Sequence, residues 1–312
     1  MKKEQINIRD PFVMYENGVY YLYGTRAAHF GCCTGGFDVY TSDDLREWSA
    51  PVACFDSAKY GLNIKANWAP EVHEYKGKYY MLATFTRENG LRGTFSLVSV
   101  SPSGPFAPNS KGALTPFEWE CLDGTLYVDK SGVPHLVFCH EHTQIKDGTI
   151  CYVRLSENLD AAEGEVITLF SASSCQWVDP VPYGDFVKED HYVTDGPFLY
   201  RSKTDELFMI WSSFVKGNYA EFAVKFKDGE LGTEFEHQRP LLDSDGGHGM
   251  IFSNGEKTYF TYHTPNKSGD ERPEFCLLED RGDTIAIKKL AVEYGTDPLD
   301  FRLHSASNAL SA

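Results

Sequence analysis

Five pairs of apolar, aromatic runs recur along the chain, each pair split by a short polar turn. The first pair covers residues 8–23 and is divided at Asn17-Gly18. Both residues of that dipeptide tolerate the positive φ angles that a two-residue hairpin turn requires. Runs rich in Tyr, Phe and Val favour strands over helices. We therefore predict a β-hairpin here and wherever the pattern returns, which is over residues 67–83, 122–138, 194–211 and 247–263.

The spacing of these hairpins indicates a repeated architecture. They begin near Asp10, Pro70, Asp123, Asp195 and His248, at intervals of 53 to 72 residues, close to the roughly 40–50 residues plus loops of a propeller blade. A further strand-like run after each hairpin supplies the outer strands. We predict an all-β fold, a five-bladed β-propeller forming one domain over residues 1–312. A large β-sandwich is the alternative, but it does not require a polar residue at the same end of five hairpins.

Three of the strand heads carry a carboxylate, namely Asp10, Asp123 and Asp195. The first strand of each blade lines the propeller axis, so these side chains are expected to meet in one axial pocket. A single Asp beside Gly or Pro is commonly a turn residue, but three at corresponding repeat positions favour a shared role. Converging carboxylates push their pKa values apart, which suits acid and base catalysis on a glycosidic bond.

Composition narrows the class of partner. The formal net charge of −16 argues against nucleic acid and anionic membrane surfaces as partners, and no run approaches the roughly 20 apolar residues of a membrane span. The eight Cys include no C-x-x-C pair, so we expect reduced, buried thiols. We expect a cytoplasmic protein acting on small oligosaccharides, although a secreted form with a trimmed leader remains open. The sequence does not indicate an oligomeric state.

Several motifs together resemble glycoside hydrolase family 43, and the resemblance covers nearly the whole chain. They include Arg9-Asp10-Pro11, Trp68-Ala69-Pro70-Glu71, the blade motif at residues 42–48, Asp123 and Asp195-Gly196-Pro197. The resemblance implies a five-bladed propeller and an inverting exo-enzyme that releases arabinofuranose or xylose. By position, Asp10 resembles the general base, Asp123 the residue that tunes and orients the acid, and Asp195 the general acid.

Position 195 departs from the family pattern, because the family usually has Glu-Gly-Pro where this chain has Asp195-Gly196-Pro197. Asp is one methylene shorter, so its carboxyl is set back by about 1.5 Å, the length of one C–C bond. Three interpretations follow: Asp195 is still the acid, Glu141 replaces it, or the chain has no acid. The last describes a non-catalytic carbohydrate-binding propeller. A related five-bladed enzyme acting on galactofuranose or fructose is a further alternative.

For the remaining candidate site residues the sequence predicts a type of contact and no catalytic role. We expect substrate contacts from residues at strand heads, strand ends and the loop after the first hairpin, and an Arg in blade five that pairs with a pocket carboxylate. His248, between two glycines, matches a channel histidine of the family near a bound cation or water. The reaction requires no cofactor, and a structural Ca²⁺ in the central channel is the metal that this environment would suit. The expected substrate-binding residues are Trp68, His29, Phe30, Phe85, His263 and Arg272.

Overall fold

The computed structural model describes residues 1–29, 35–62, 65–184 and 190–288, with the side chain of His29 excluded. These residues form five four-stranded antiparallel sheets, each built from four strands consecutive in sequence. The first sheet contains β1 (Ile8–Glu16), β2 (Val19–Arg26), β3 (Phe37–Ser42) and β4 (Val52–Phe55). The second contains β5 (Asn67–Tyr75), β6 (Lys78–Thr86), β7 (Arg92–Ser99) and β8 (Ala107–Pro108).

The remaining three sheets follow the same order. The third contains β9 (Cys121–Val128), β10 (Pro134–His140), β11 (Thr149–Leu155) and β12 (Ala162–Ser171). The fourth contains β13 (Asp195–Arg201), β14 (Leu207–Val215), β15 (Asn218–Phe226) and β16 (Phe235–His237). The fifth contains β17 (Gly247–Ser253), β18 (Thr258–Thr264), β19 (Arg272–Asp280) and β20 (Ile285–Lys288).

The sheets are the blades of a propeller. The first strand of each blade contacts the first strands of its neighbours, and β1 also packs against β17, which closes the ring. The predicted all-β, five-bladed β-propeller is thus confirmed. In the described part of the chain the one α-helix is α1 (His142–Ile145). No helix among those residues is long and apolar enough to cross a membrane.

Local sequence explains the hairpin turns. In blade one, Asn17 and Gly18 both have positive φ, at 51° and 85°, and they join β1 directly to β2. Lys76 and Gly77 make the equivalent turn in blade two, with φ of 51° and 75°. Positive φ at both central positions matches the right-handed twist of the flanking strands.

The hydrophobic core lies between blades. Phe85 of β6 is fully buried and packs against Phe37, Phe55 and Phe95, with ring centroids 5.5–5.8 Å apart. The expectation that Phe85 lines the substrate pocket is therefore wrong. Successive residues of a strand face opposite sides of the sheet, so the neighbouring Thr84 faces the adjacent blade while Phe85 enters the core.

Candidate active site

The head of every innermost strand has the same irregularity. Two of its residues oppose one residue of the second strand, which defines a β-bulge. The first bulged residue has φ between 45° and 56° in all five blades, a region that costs non-glycine residues of order 1–3 kcal/mol. The second bulged residue is always Pro or Gly. The five bulges are Asp10-Pro11, Ala69-Pro70, Asp123-Gly124, Gly196-Pro197 and His248-Gly249.

This common geometry corrects the alignment of the repeats. Asp10 and Asp123 occupy the first bulge position, but in blade four that position is Gly196, and Asp195 comes one residue earlier. Asp195 therefore corresponds to Arg9 and Trp68, not to the other two aspartates. A Cβ on Gly196 would lie 2.6 Å from Cδ2 of His248, so the close packing of the two bulges requires glycine there.

Side chains from the preceding blade hold the bulges in place. The amide of Ala69 donates to Thr25 Oγ1 at 2.7 Å, and the amide of Asp123 donates to Thr84 Oγ1 at 3.0 Å. In the same way, His248 N donates to Ser212 Oγ at 2.7 Å and Asp10 N to His263 Nδ1 at 3.2 Å. Each acceptor lies on the second strand of its blade, opposite the residue that precedes the bulge.

The junction between blades three and four departs from this pattern. The corresponding second-strand residue is Cys139, which pairs with Leu122 in the register of β9 and β10. The Gly196 amide donates instead to Oδ2 of Asp123 at 3.2 Å. The carboxylate of Asp123 thus holds the bulge that follows Asp195, and this contact brings the two acids together.

A cavity of about 190 Å³ opens at the bulges. All four candidate catalytic residues, Asp10, Asp123, Asp195 and Glu141, line it. So do Trp68 and His248, together with residues that the sequence did not single out for the site, chiefly Arg9, Arg92, His142, Tyr183, Tyr219 and Asn266.

Asp10 is buried and surrounded by donors. Its carboxylate accepts from Thr25 Oγ1 at 2.6 Å and Arg9 Nε at 3.2 Å, and Nδ1 of His248 lies 3.2 Å from Oδ1. Burial alone would raise the pKa of Asp10, but the charges of His248 and Arg9 outweigh it and lower that pKa below its usual value. Asp10 is therefore a carboxylate at neutral pH and can accept a proton from water.

The pKa values of Asp123 and Asp195 are raised, in contrast to that of Asp10. Burial and the Asp10 charge together raise the pKa of Asp123 to about 7, against hydrogen bonds with Asp195 and the Gly196 amide that lower it. Burial and the neighbouring Asp123 charge also raise the pKa of Asp195 well above its usual value. The two carboxyls are hydrogen-bonded to each other, so the pair retains a proton when Asp10 has lost its own. One ionised carboxylate and one protonated pair in a single cavity can supply a base and an acid.

Glu141 lines the same cavity at the start of α1. Its Oε2 accepts from Arg92 Nη2 at 2.5 Å and from Thr143 Oγ1 at 2.8 Å, and His142 Nε2 lies 3.3 Å from Oε1. The Arg92 guanidinium also lies over the ring of Trp68, with its central carbon 4.8 Å from the ring centroid. These contacts suit a charged acceptor that binds hydroxyl groups better than they suit a proton donor.

Arg272 and His263 do not have the roles expected of them. Arg272 donates to the backbone oxygens of Glu4 and Glu271, so its predicted pairing with a pocket carboxylate is wrong, and Arg9 makes that contact instead. His263 is fully buried; it supports the amide of Asp10 and is not part of the cavity wall. The side chain of His29 and all of Phe30 lie outside the described residues.

Two unforeseen side chains complete the site. Tyr219 of β15 donates to Asp195 Oδ2 at 2.7 Å. Glu221, two residues later, is fully buried; its Oε2 accepts from Ser212 Oγ at 2.8 Å and from Gly249 N at 3.0 Å. No local signal identified either residue, because both lie in an ordinary strand and reach the site through contacts with residues of other strands, in blade four and in blade five.

Among the residues that the structure describes, Asp123, Asp195 and His248 offer donor atoms that could hold a metal, and these atoms all lie within 4.8 Å of one another. This set supplies only three of the six to eight ligands that Ca²⁺ takes, so a calcium ion here would need backbone oxygens or water for the rest. The set provides an imidazole nitrogen and two carboxyls that retain a proton between them.

Comparisons with known proteins agree with this geometry. The family model described as glycosyl hydrolases family 43 matches residues 5–279. A search of curated proteins finds no match.

Solved structures give further matches. An endo-arabinase from Bacteroides thetaiotaomicron is 35% identical, with a TM-score of 0.83 over 91% of this chain and 99% of that one. An endo-1,4-beta-xylanase from the same organism is 21% identical, with a TM-score of 0.73 over 92% and 96% of the two chains. An alpha-L-arabinofuranosidase from Lactobacillus brevis is 16% identical, with a TM-score of 0.68 over 95% and 96%. The last two show the fold alone, whereas the family model and the endo-arabinase show that the chain belongs to glycosyl hydrolase family 43.

Proposed function

We propose that this glycoside hydrolase inverts the anomeric centre and releases terminal arabinofuranose from short oligosaccharides. The observation that carries the proposal is the split in protonation within one cavity. The pKa of Asp10 is lowered, whereas the pKa values of Asp123 and Asp195 are raised. An inverting glycosidase needs this combination, because one carboxylate activates water while another carboxyl protonates the leaving oxygen.

The roles follow from the contacts. Asp10 takes a proton from the water that attacks the anomeric carbon, and the glycosidic bond breaks on the opposite face of the sugar. Asp195 supplies the proton that the leaving oxygen requires. Asp123 holds Asp195 through their shared hydrogen bond and holds the following bulge through the Gly196 amide. Glu141 serves instead as an acceptor for substrate hydroxyl groups, because Arg92 and Thr143 both donate to its Oε2 and hold the carboxylate in place.

Two observations support the choice of sugar and the exo mode. The 35% identical structure is named an endo-arabinase, which favours arabinofuranosyl bonds over xylosyl bonds. The cavity of about 190 Å³ is smaller than the roughly 300–1,000 Å³ of pockets for drug-sized ligands. It suits one sugar residue at a chain end. A β-xyloside is the second candidate substrate.

The first test is hydrolysis of nitrophenyl α-L-arabinofuranoside and β-D-xyloside. We expect turnover of the arabinofuranoside, with NMR of the first product showing the inverted anomer. A retained anomer would exclude the assigned roles. Single arabinose units released from arabino-oligosaccharides indicate exo action, and mixed shorter oligosaccharides would contradict it.

A carbohydrate-binding propeller without catalysis is the second candidate function, and the shorter acid Asp195 favours it. Calorimetric binding of an arabino-oligosaccharide with no sugar released over a long incubation would establish it in place of the hydrolase.

A further inference from the structure

The carboxyl of Asp195 is held on two sides. It is hydrogen-bonded to Asp123, and its Oδ2 accepts from Tyr219 Oη at 2.7 Å. A Glu at this position would extend about 1.5 Å further, by one C–C bond. Asp195 is therefore engaged by its neighbours, and the shorter side chain is set back from a leaving oxygen in the cavity.

Tyr219 lines the cavity beside this carboxyl. Its ring packs on His263, with centroids 5.6 Å apart and planes 25° apart, and against Phe214 at 5.5 Å. A Cβ on Gly247 would lie 2.8 Å from Cε1 of Tyr219, so a glycine in blade five leaves room for the ring. The hydroxyl group is thus fixed beside Asp195 by packing from two blades.

We propose that Tyr219 is a catalytic residue that carries the acid proton from Asp195 to the leaving oxygen. This inference rests on the proposed hydrolase function and deepens it. The hydroxyl group of tyrosine has one proton and can also accept. When its O–H turns from Asp195 Oδ2 to the leaving oxygen, the phenol oxygen can receive the proton of the Asp195 carboxyl while giving its own away. In this way the phenol of Tyr219 spans the distance to the leaving oxygen that the shorter side chain of Asp195 leaves open.

The step balances without another reactant. The Tyr219 O–H bond breaks as an O–H bond forms on the glycosidic oxygen, and the Asp195 proton passes to the Tyr219 oxygen. The C–O bond to the leaving group breaks with its electron pair on that oxygen. Water attacks the anomeric carbon and loses a proton to Asp10. Burial raises the pKa of Tyr219 well above its usual value, so the phenol retains its proton for this transfer at neutral pH.

The test combines Tyr219→Phe and Asp195→Glu, alone and together. Substrates are an alkyl arabinofuranoside, whose leaving oxygen needs a proton, and a dinitrophenyl arabinofuranoside, whose leaving group does not. General acid catalysis contributes typically 10²–10⁴-fold. We therefore expect Tyr219→Phe to lower kcat/KM by at least about 100-fold on the alkyl substrate, and only a few-fold on the dinitrophenyl one. Because Glu reaches the leaving oxygen directly, adding Asp195→Glu to Tyr219→Phe should restore most of the lost activity.

Tyr200→Phe is the matched control. Tyr200 Oη donates to Asp280 Oδ2 at the same 2.7 Å, but neither residue lines the cavity, so both substrates should be hydrolysed at the wild-type rate. Activity on the dinitrophenyl substrate also shows that each variant is folded.

The relay is overturned if Tyr219→Phe affects both substrates equally, or if the double variant is no better than Tyr219→Phe. The second result would mean that Tyr219 only positions Asp195. A wild-type protein that cleaves neither substrate would refute the proposed hydrolase itself.

Discussion

Thr25→Val tests how the general base is held. Thr25 is fully buried in β2. Its hydroxyl group donates to Asp10 Oδ2 at 2.6 Å and accepts from the Ala69 amide at 2.7 Å. Valine has nearly the same shape but no hydroxyl group, so the substitution removes both bonds and creates little empty space.

The expected loss of stability follows from the two groups that lose their hydrogen bonds to Thr25, the Ala69 amide and the Asp10 carboxylate. A buried amide without a partner costs about 1–3 kcal/mol, and a hydrogen bond to a charged group contributes about 1.5–3 kcal/mol. We expect Thr25→Val to lower the free energy of unfolding by about 3–5 kcal/mol at neutral pH. Thr25→Ser keeps the hydroxyl group and loses one buried methyl, so its cost should be about 0.5–1.5 kcal/mol.

The substitution also changes the dependence on pH. The native pKa of Asp10 is lowered, so its stabilising contribution is present above the unfolded value of about 3.9 and is lost as the pH falls through the native value. Removing the Thr25 bond raises the native pKa of Asp10. The stability difference between wild type and Thr25→Val should therefore shrink in acid, and the acidic limb of kcat/KM should move to higher pH.

The assays are urea unfolding from pH 8 down to the most acidic pH at which the protein stays folded, and a pH profile of kcat/KM on the arabinofuranoside over the same range. Equal stability of Thr25→Val and Thr25→Ser, with an unmoved acidic limb in both, would show that Thr25 does not hold the base and would refute this reasoning.

Three further predictions concern the bulges. Asp10→Asn should lower kcat by at least about 100-fold, because it removes the base, and normal turnover would reject Asp10 in that role. The native pKa of Asp123 is raised to about 7, so folding favours its protonated form. The contribution of Asp123 to the free energy of unfolding should therefore decrease as the pH rises from about 4 to 7. Urea titrations should show a smaller decrease over this range in Asp123→Asn than in the wild type. Gly196→Ala should destabilise the protein and reduce activity, since its Cβ would lie 2.6 Å from His248. Gly61→Ala, at a φ of 70° with open space around it, controls for backbone strain; an equal effect of both substitutions in thermal unfolding and activity would contradict the clash with His248.

The hairpins and their order could be predicted because their signals are local. Asn17-Gly18 specifies a turn through the φ angles that it tolerates, and alternating aromatic residues specify the flanking strands. The same reasoning identified Asp10 and Asp123 as residues at strand heads. Their arrival in one cavity followed from the repeat, because equivalent strand ends of a propeller meet at the axis.

Prediction of the other site residues failed where a contact depends on register between strands. A shift of one position turns a side chain to the other face of the sheet, which places Phe85 in the core and leaves Thr84 to support Asp123.

The sequence by itself determined a ring of five hairpin units with carboxylates at three strand heads, because turn chemistry and strand periodicity act over a few neighbouring residues. Only the tertiary structure decided that Asp195 lies one residue before its bulge, that Tyr219 and Glu221 reach the site from an outer strand, and that Asp10 is ionised while the Asp123 and Asp195 pair holds a proton. These features arise from strand register and from contacts between strands, both within blade four and between blades, where burial and neighbouring charges set each pKa. The residues that make these contacts lie far apart in the chain, and no local sequence pattern predicts which of them will be in contact.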